Sequence, residues 1–139
     1  MTAALLAVVA ALALAGVIGW LMTRRAGDVR ATGSNTADDV DTTDLGLSSQ
    51  GPTVVHFSAS WCGPCIQVRR VVDQVCDDLD QVAHVEIDMD ANPEAARRLS
   101  VLSLPTTFIF DADGRQRYRT AGVPKPDALR SALVPLLAR

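Results

Sequence analysis

Two cysteines stand two residues apart in the segment Trp61-Cys62-Gly63-Pro64-Cys65, and their type and spacing suit thiol chemistry. A pair at this spacing, set where a strand hands over to a helix, can close a small disulfide with little backbone movement and open it again. Position gives the two sulfurs different work. The first lies at a helix N-terminus, where unpaired N–H groups and the macrodipole favour an anion, so its pKa is expected to fall from about 8.5 toward about 7 or lower. Cys62 is then the nucleophile. Cys65, one turn further in, would attack the mixed disulfide and release the reduced substrate. Gly63 keeps the turn tight, and Pro64 supplies a helix-compatible φ while removing an N–H that has no partner there. The two sulfurs carry the electrons, so no cofactor is implied.

Structural zinc is the rival use of such a pair. It needs further ligands, and the third cysteine, Cys76, falls on the apolar stripe of the following helix, while His56 and His84 lack finger spacing. No metal is expected, and Cys76 reads as inert core. Three cysteines are also too few, and odd in number, for a stapling framework.

The elements that position the pair follow from periodicity. Residues 53–58, after Gly51-Pro52, are β-branched and aromatic and read as a buried strand leading into the cysteines. Beyond them Val68, Val71, Val72, Val75, Cys76 and Leu79 recur at three- and four-residue steps, an amphipathic helix lying on a sheet. Residues 83–88 form a second strand, and Asn92-Pro93-Glu94 reads as an N-cap, a first-turn proline and an early acid opening a helix to about Ser100. Residues 106–110, the turn Asp111-Ala112-Asp113-Gly114 and residues 115–121 read as a hairpin. From Pro126, Leu129, Leu133, Leu136 and Leu137 give a last helix that Pro135 is expected to kink or shorten. Leu45-Gly46-Leu47 is read as a short first strand. The fold class is α/β, with a mixed sheet of four or five strands and helices on both faces.

Although the chain is 48% hydrophobic, much of the surplus lies at its start. Residues 3–22 carry no charge and, as a helix, span about 30 Å, the thickness of a hydrocarbon core. Ala13-Leu14-Ala15 has the small-x-small form of a signal-peptide cleavage site, but no basic segment precedes the apolar run, which is also long. The stretch is therefore read as a transmembrane anchor with Trp20 near its interface. Arg24, Arg25 and Arg30 follow it, and the positive-inside rule places the domain in the cytoplasm, with an extracytoplasmic placement as the alternative. Residues 26–49 are rich in Gly, Ser, Thr, Asn and Asp and are expected to be a disordered linker reaching roughly 25–30 Å. Its acids Asp38, Asp39, Asp41 and Asp44 read as a solvated spacer. The expected organisation is an anchor with basic flank at 1–25, a linker at 26–49 and a folded domain at 50–139. A net charge of −3 without basic clusters interleaved with aromatics excludes nucleic-acid binding as a reading.

Residues 53–137 resemble thioredoxins. The run His56-Phe57-Ser58-Ala59-Ser60-Trp61-Cys62-Gly63-Pro64-Cys65, the strand Val85-Glu86-Ile87-Asp88, and Leu104-Pro105-Thr106 fall in that family's order and near its spacing. The resemblance implies that Pro105 is the family's cis-proline facing the disulfide, that the Leu104 backbone pairs with an extended substrate segment, and that Trp61 and Gly122 line the same groove. The chain departs from the family where His56 replaces a buried acid, Ser58 a tryptophan and His84 a lysine. His56 either takes over as proton acceptor for Cys65 or is a neutral, hydrogen-bonded core residue.

Three functions follow. The first is a membrane-tethered protein-disulfide reductase, favoured by the Gly-Pro dipeptide, fed by thioredoxin reductase or a membrane dithiol carrier and acting on disulfide-containing proteins. The second is an extracytoplasmic exchanger serving cytochrome maturation or disulfide isomerisation. The third is a tethered module that holds an extended peptide without turnover.

Overall fold

The computed structural model describes residues 2–24, 26–33 and 40–137. Arg25, Asp38 and Asp39, named above for the flank and the acidic spacer, lie outside the described residues. Helix α1 runs over Thr2–Arg24, and its segment Ala4–Arg24 has a mean hydropathy of 2.5, long and apolar enough to cross a membrane. None of that segment is buried against the rest of the chain.

Strand β1 is Arg30–Ala31, β2 Thr53–Ser58, β3 Ala83–Asp88, β4 Thr106–Phe110 and β5 Gln116–Ala121. They form a single five-stranded sheet in the order β1-β5-β4-β2-β3. Only β2 and β3 are parallel; β2 with β4, β4 with β5 and β1 with β5 are antiparallel. A strand with neighbours on both edges and helices on both faces has no wet side, which explains why every residue of β2 is buried, the polar Thr53, His56 and Ser58 included.

Helices α2, Gly63–Asp77, and α4, Pro126–Leu137, cover one face, and α3, Pro93–Arg98, belongs to the other. The first face packs Val54 and Ile109 of the sheet against Val68, Val72 and Val75 of α2 and Leu129, Leu133 and Leu136 of α4. The second packs Val55, Phe57, Phe108 and Phe110 against Ala95, Ala96 and Leu99. The period-2 alternation of β2 thus feeds two separate cores.

Several expectations are corrected. Leu45-Gly46-Leu47 is a turn rather than a strand, although Leu45 is 2% exposed and belongs to the second core. The first strand lies instead inside the expected linker: Arg30 pairs with Arg119 and Ala31 with Tyr118, and Val29 packs on the first core. The described parts of 26–49 are therefore docked chain, because the open edge of β5 offers backbone partners that composition does not reveal. Helix α3 ends at Arg98, since Ser100 adopts a left-handed φ of 51° and the amides of Ser100 and Val101 turn back to the carbonyls of Arg97 and Ala96. Asn92 occupies the N-cap position, but its side chain donates to the Asp88 carbonyl instead of capping. Pro135 lies inside α4, which continues beyond it to Leu137.

Candidate active site

Cys62 is the N-cap of α2, with extended φ −88° and ψ 96°, and Gly63 and Pro64 are the first two helical residues. Cys62 and Cys65 are joined in a disulfide and are 7% and 2% exposed. Because no side chain caps the helix, its first amides and the positive end of its dipole are left to the Cys62 sulfur. The arrangement favours a thiolate at Cys62 once the bond is reduced.

Of the distant residues expected around the pair, Leu104 reaches it by long-range packing. Leu104 and Ala59 pack against the two cysteines. The Leu104–Pro105 peptide bond is cis, and the Pro105 carbonyl accepts the Gly122 amide at 2.9 Å. Gly122 needs its glycine: its φ is +87°, and an added Cβ would press on Ala26 and Gly27. Trp61 is 66% exposed, its indole N–H donating to Asp90 at 3.0 Å.

Behind the disulfide, beneath α2, lies a polar cluster that composition did not announce. His56 is fully buried on β2, one residue before Phe57, whose carbonyl oxygen is 4.0 Å from the Cys65 sulfur. Its Nδ1 meets Nε2 of His84 at 2.9 Å, and Nδ1 of His84 meets Asp73 at 2.9 Å. Alongside, Ser58 donates to Glu86 at 2.7 Å, and Arg69 grips the same carboxylate at 2.7 and 2.5 Å. That hydrogen-bonded Arg69 holds the Glu86 carboxyl at a pKa of about 2, well below the usual carboxylate range. Burial pushes the His56 imidazole down to about 4, helped by His84, so the ring is neutral near pH 7. Asp73, Glu86 and Arg69 were not singled out from sequence. Glu86 stands two residues after His84, on the same face of one strand, and Asp73 lies one helical turn after Arg69; those spacings are the signal that could have found them. Cys76 takes no part, and burial raises its thiol to about 11.

A two-residue-spaced cysteine pair at a helix start, packed by the Leu104 of a cis Leu–Pro bond, on a mixed sheet covered on both faces, defines a thiol–disulfide oxidoreductase of the thioredoxin-like fold. The family model described as Thioredoxin matches residues 36–134, and the chain belongs to the thioredoxin family. It is 41% identical over 95 residues to a thioredoxin of Mycolicibacterium smegmatis, covering 66% of this chain and 83% of that one. It is 38% identical over 84 residues to a bifunctional thioredoxin reductase/thioredoxin of Mycobacterium leprae, covering 60% of this chain and 18% of that protein. Among solved structures it is similar to chloroplastic thioredoxin z, with a TM-score of 0.58 and 33% identity over 65% of this chain and 81% of that one. The matched region begins within the stretch expected to be linker and takes in Leu45, which is buried in the second core.

Proposed function

We propose that this chain is a protein-disulfide reductase tethered to a membrane by α1, in which Cys62 attacks the substrate disulfide, Cys65 resolves the mixed disulfide, and His56 accepts the Cys65 proton. The observation that carries the reading is the asymmetry of the pair: one sulfur at the uncapped N-terminus of α2, on a residue 7% exposed, the other one turn inside, on a residue 2% exposed. Trp61, Gly63, Pro64, Leu104, Pro105 and Gly122 form the rim on which an extended substrate segment lies, the Leu104 backbone supplying hydrogen bonds. Thioredoxin reductase is the electron donor that fits a cytoplasmic domain, and the fusion of both activities in the M. leprae relative supports it.

The apolar length of α1, with Arg24 at its end, supports a single membrane span with the domain on the cytoplasmic side. The connection is short. Three residues beyond Arg24, the Gly27 amide donates to the Ala121 carbonyl at 2.7 Å, beside the Gly122 that bonds Pro105. This supports a groove presented next to the bilayer rather than at the end of a long tether.

The test is insulin-disulfide reduction by the full chain in detergent micelles, with thioredoxin reductase and NADPH or with dithiothreitol, beside Cys62→Ser and Cys65→Ser. Turnover lost in both variants, with mixed disulfides trapped by Cys65→Ser, is the expected result. A folded wild-type chain without turnover would turn the reading toward a peptide-holding module. Protease accessibility in sealed vesicles decides the membrane face, and an extracytoplasmic domain would replace thioredoxin reductase with a membrane dithiol carrier.

A further inference from the structure

The cluster beneath α2 contains a hydrogen-bonded line that runs from the interior to the surface. His56 is 0% exposed, His84 is partly buried, and the Asp73 side chain is 55% exposed. The far end of the line sets its polarity. Asp73 is a carboxylate and can only accept, so Nδ1 of His84 carries the proton and its Nε2 is a bare acceptor. That acceptor in turn requires the proton of His56 on Nδ1. Nε2 of His56 is thereby left as a lone pair in the interior, and it has no hydrogen-bond partner among the described residues. Its nearest ionised neighbour, Glu86 Oε1, is 3.6 Å away, beyond hydrogen-bond reach. A buried basic nitrogen without a partner is costly unless it has a use.

We propose that His56, His84 and Asp73 form a proton relay that carries the Cys65 proton from beneath the disulfide to solvent. The inference rests on the assignment of Cys65 as the resolving thiol. After Cys62 has formed a mixed disulfide, the Cys65 thiol gives its proton to Nε2 of His56, directly or through one water. The Cys65 sulfur attacks that of Cys62; the Cys62–substrate S–S bond breaks, the Cys62–Cys65 bond forms, and the substrate sulfur leaves as a thiolate that takes a proton from solvent. Two electrons pass from the cysteine pair to the substrate. Nδ1 of His56 meanwhile passes its proton to Nε2 of His84, whose own Nδ1 proton is held against Asp73 and exchanges with water there. His84 and Asp73 are positioning residues acting through His56.

The other groups facing His56 suit this role. Glu86 on β3, fixed by Arg69 of α2 and Ser58 of β2, presents a permanent negative charge to the transient imidazolium without competing for its proton. Arg69 is occupied by that carboxylate. From β4, the residue paired with His56 is Thr107, which does not titrate. The line therefore runs from the unpartnered Nε2 of His56, next in sequence to the Phe57 whose carbonyl oxygen is 4.0 Å from the Cys65 sulfur, to Asp73 at the surface.

The experiment is stopped-flow reaction of the reduced full chain in micelles with excess dithiobis(nitrobenzoate), in a Cys76→Ser background so that two thiols report. Attack by Cys62 releases the first thionitrobenzoate and resolution by Cys65 the second. Two phases in the parent, both lost with Cys62→Ser, test the cysteine assignment independently of the relay. Given those phases, His84→Gln should slow the second at least tenfold at pH 7, leave the first unchanged, and recover toward the parent as hydroxide takes over at high pH. Asp73→Asn, a change at an exposed position, should give a smaller loss of about threefold with the same recovery, since the amide oxygen still accepts the Nδ1 proton but no longer stabilises a cation. Unchanged second phases in both variants, equal slowing of both phases, or a deficit that persists at high pH would overturn the relay while leaving the oxidoreductase intact.

Discussion

The amide of Gly122 lies 2.9 Å from the carbonyl oxygen of Pro105, so the end of β5 and the loop beside the disulfide are one hydrogen-bonded piece. Gly27 joins that piece from the other side through Ala121, and the chain leaving α1 is thereby locked onto the end of β5. Gly27 has a φ of +86°, and a Cβ there would meet the Val123 carbonyl oxygen at 2.2 Å. Gly27→Ala should therefore detach β1, at a local cost on the order of 2 kcal/mol. Hydrogen exchange at Thr32, whose amide bonds Arg117, should accelerate while β2 and β4 remain protected. Gly33→Ala, whose added methyl meets nothing within 4 Å among the described residues, is the control; equal protection in both variants would contradict the docking.

Ser100 closes α3 in a left-handed conformation that costs an L-residue with a side chain about 1 kcal/mol and costs glycine little. Its own amide and that of Val101 already make the terminating hydrogen bonds, and Arg119 binds the Leu99 and Ser100 carbonyls. Ser100→Gly should raise the denaturation midpoint, stabilising the domain by about 1 kcal/mol. Urea titration followed by Trp61 fluorescence measures it, and a lowered midpoint would count against the motif.

Cys76 has its thiol pushed up to about 11, chiefly by burial and secondarily by Asp73 and Asp77. At pH 7.5 almost none of it is thiolate. Brief iodoacetamide treatment of the reduced chain should modify Cys62 first and leave Cys76 unlabelled, as read by peptide mass spectrometry; prompt labelling of Cys76 would show that it is more open than its packing implies.

Acid should weaken the fold in two stages. His56 has a folded pKa of about 4 against 6.5 in a free chain, so the unfolded state binds more protons as pH falls through this range; the stability present above 6.5 drains away between 6.5 and 4. Glu86, at about 2 against 4.5, adds a second loss between 4.5 and 2. Thermal melts of the full chain should fall along both limbs. His56→Asn should flatten the upper limb and Glu86→Gln the lower, and a melting temperature independent of pH between 7 and 4 would refute the buried neutral imidazole.

The sequence by itself determined what depends on neighbours along the chain. The cysteine spacing, the apolar stripe of α2, the β-branched and aromatic run of β2 and the turn at Gly114 are all short-range patterns, and each element that carries the disulfide could be placed from them. Apolar length alone likewise marked α1 as long enough to span a bilayer. Only the tertiary structure decided what rests on residues far apart. Strand β1 has two residues, too few to show any period, and exists because Arg30 meets Arg119 across the sheet edge. His56 and His84 stand 28 positions apart and are brought together by the parallel pairing of β2 with β3, and Asp73 joins them because α2 lies over that pair. A lone histidine in an apolar strand is equally a core residue or a base from sequence. Its partners, supplied by other elements, fix which nitrogen carries the proton and which is left bare.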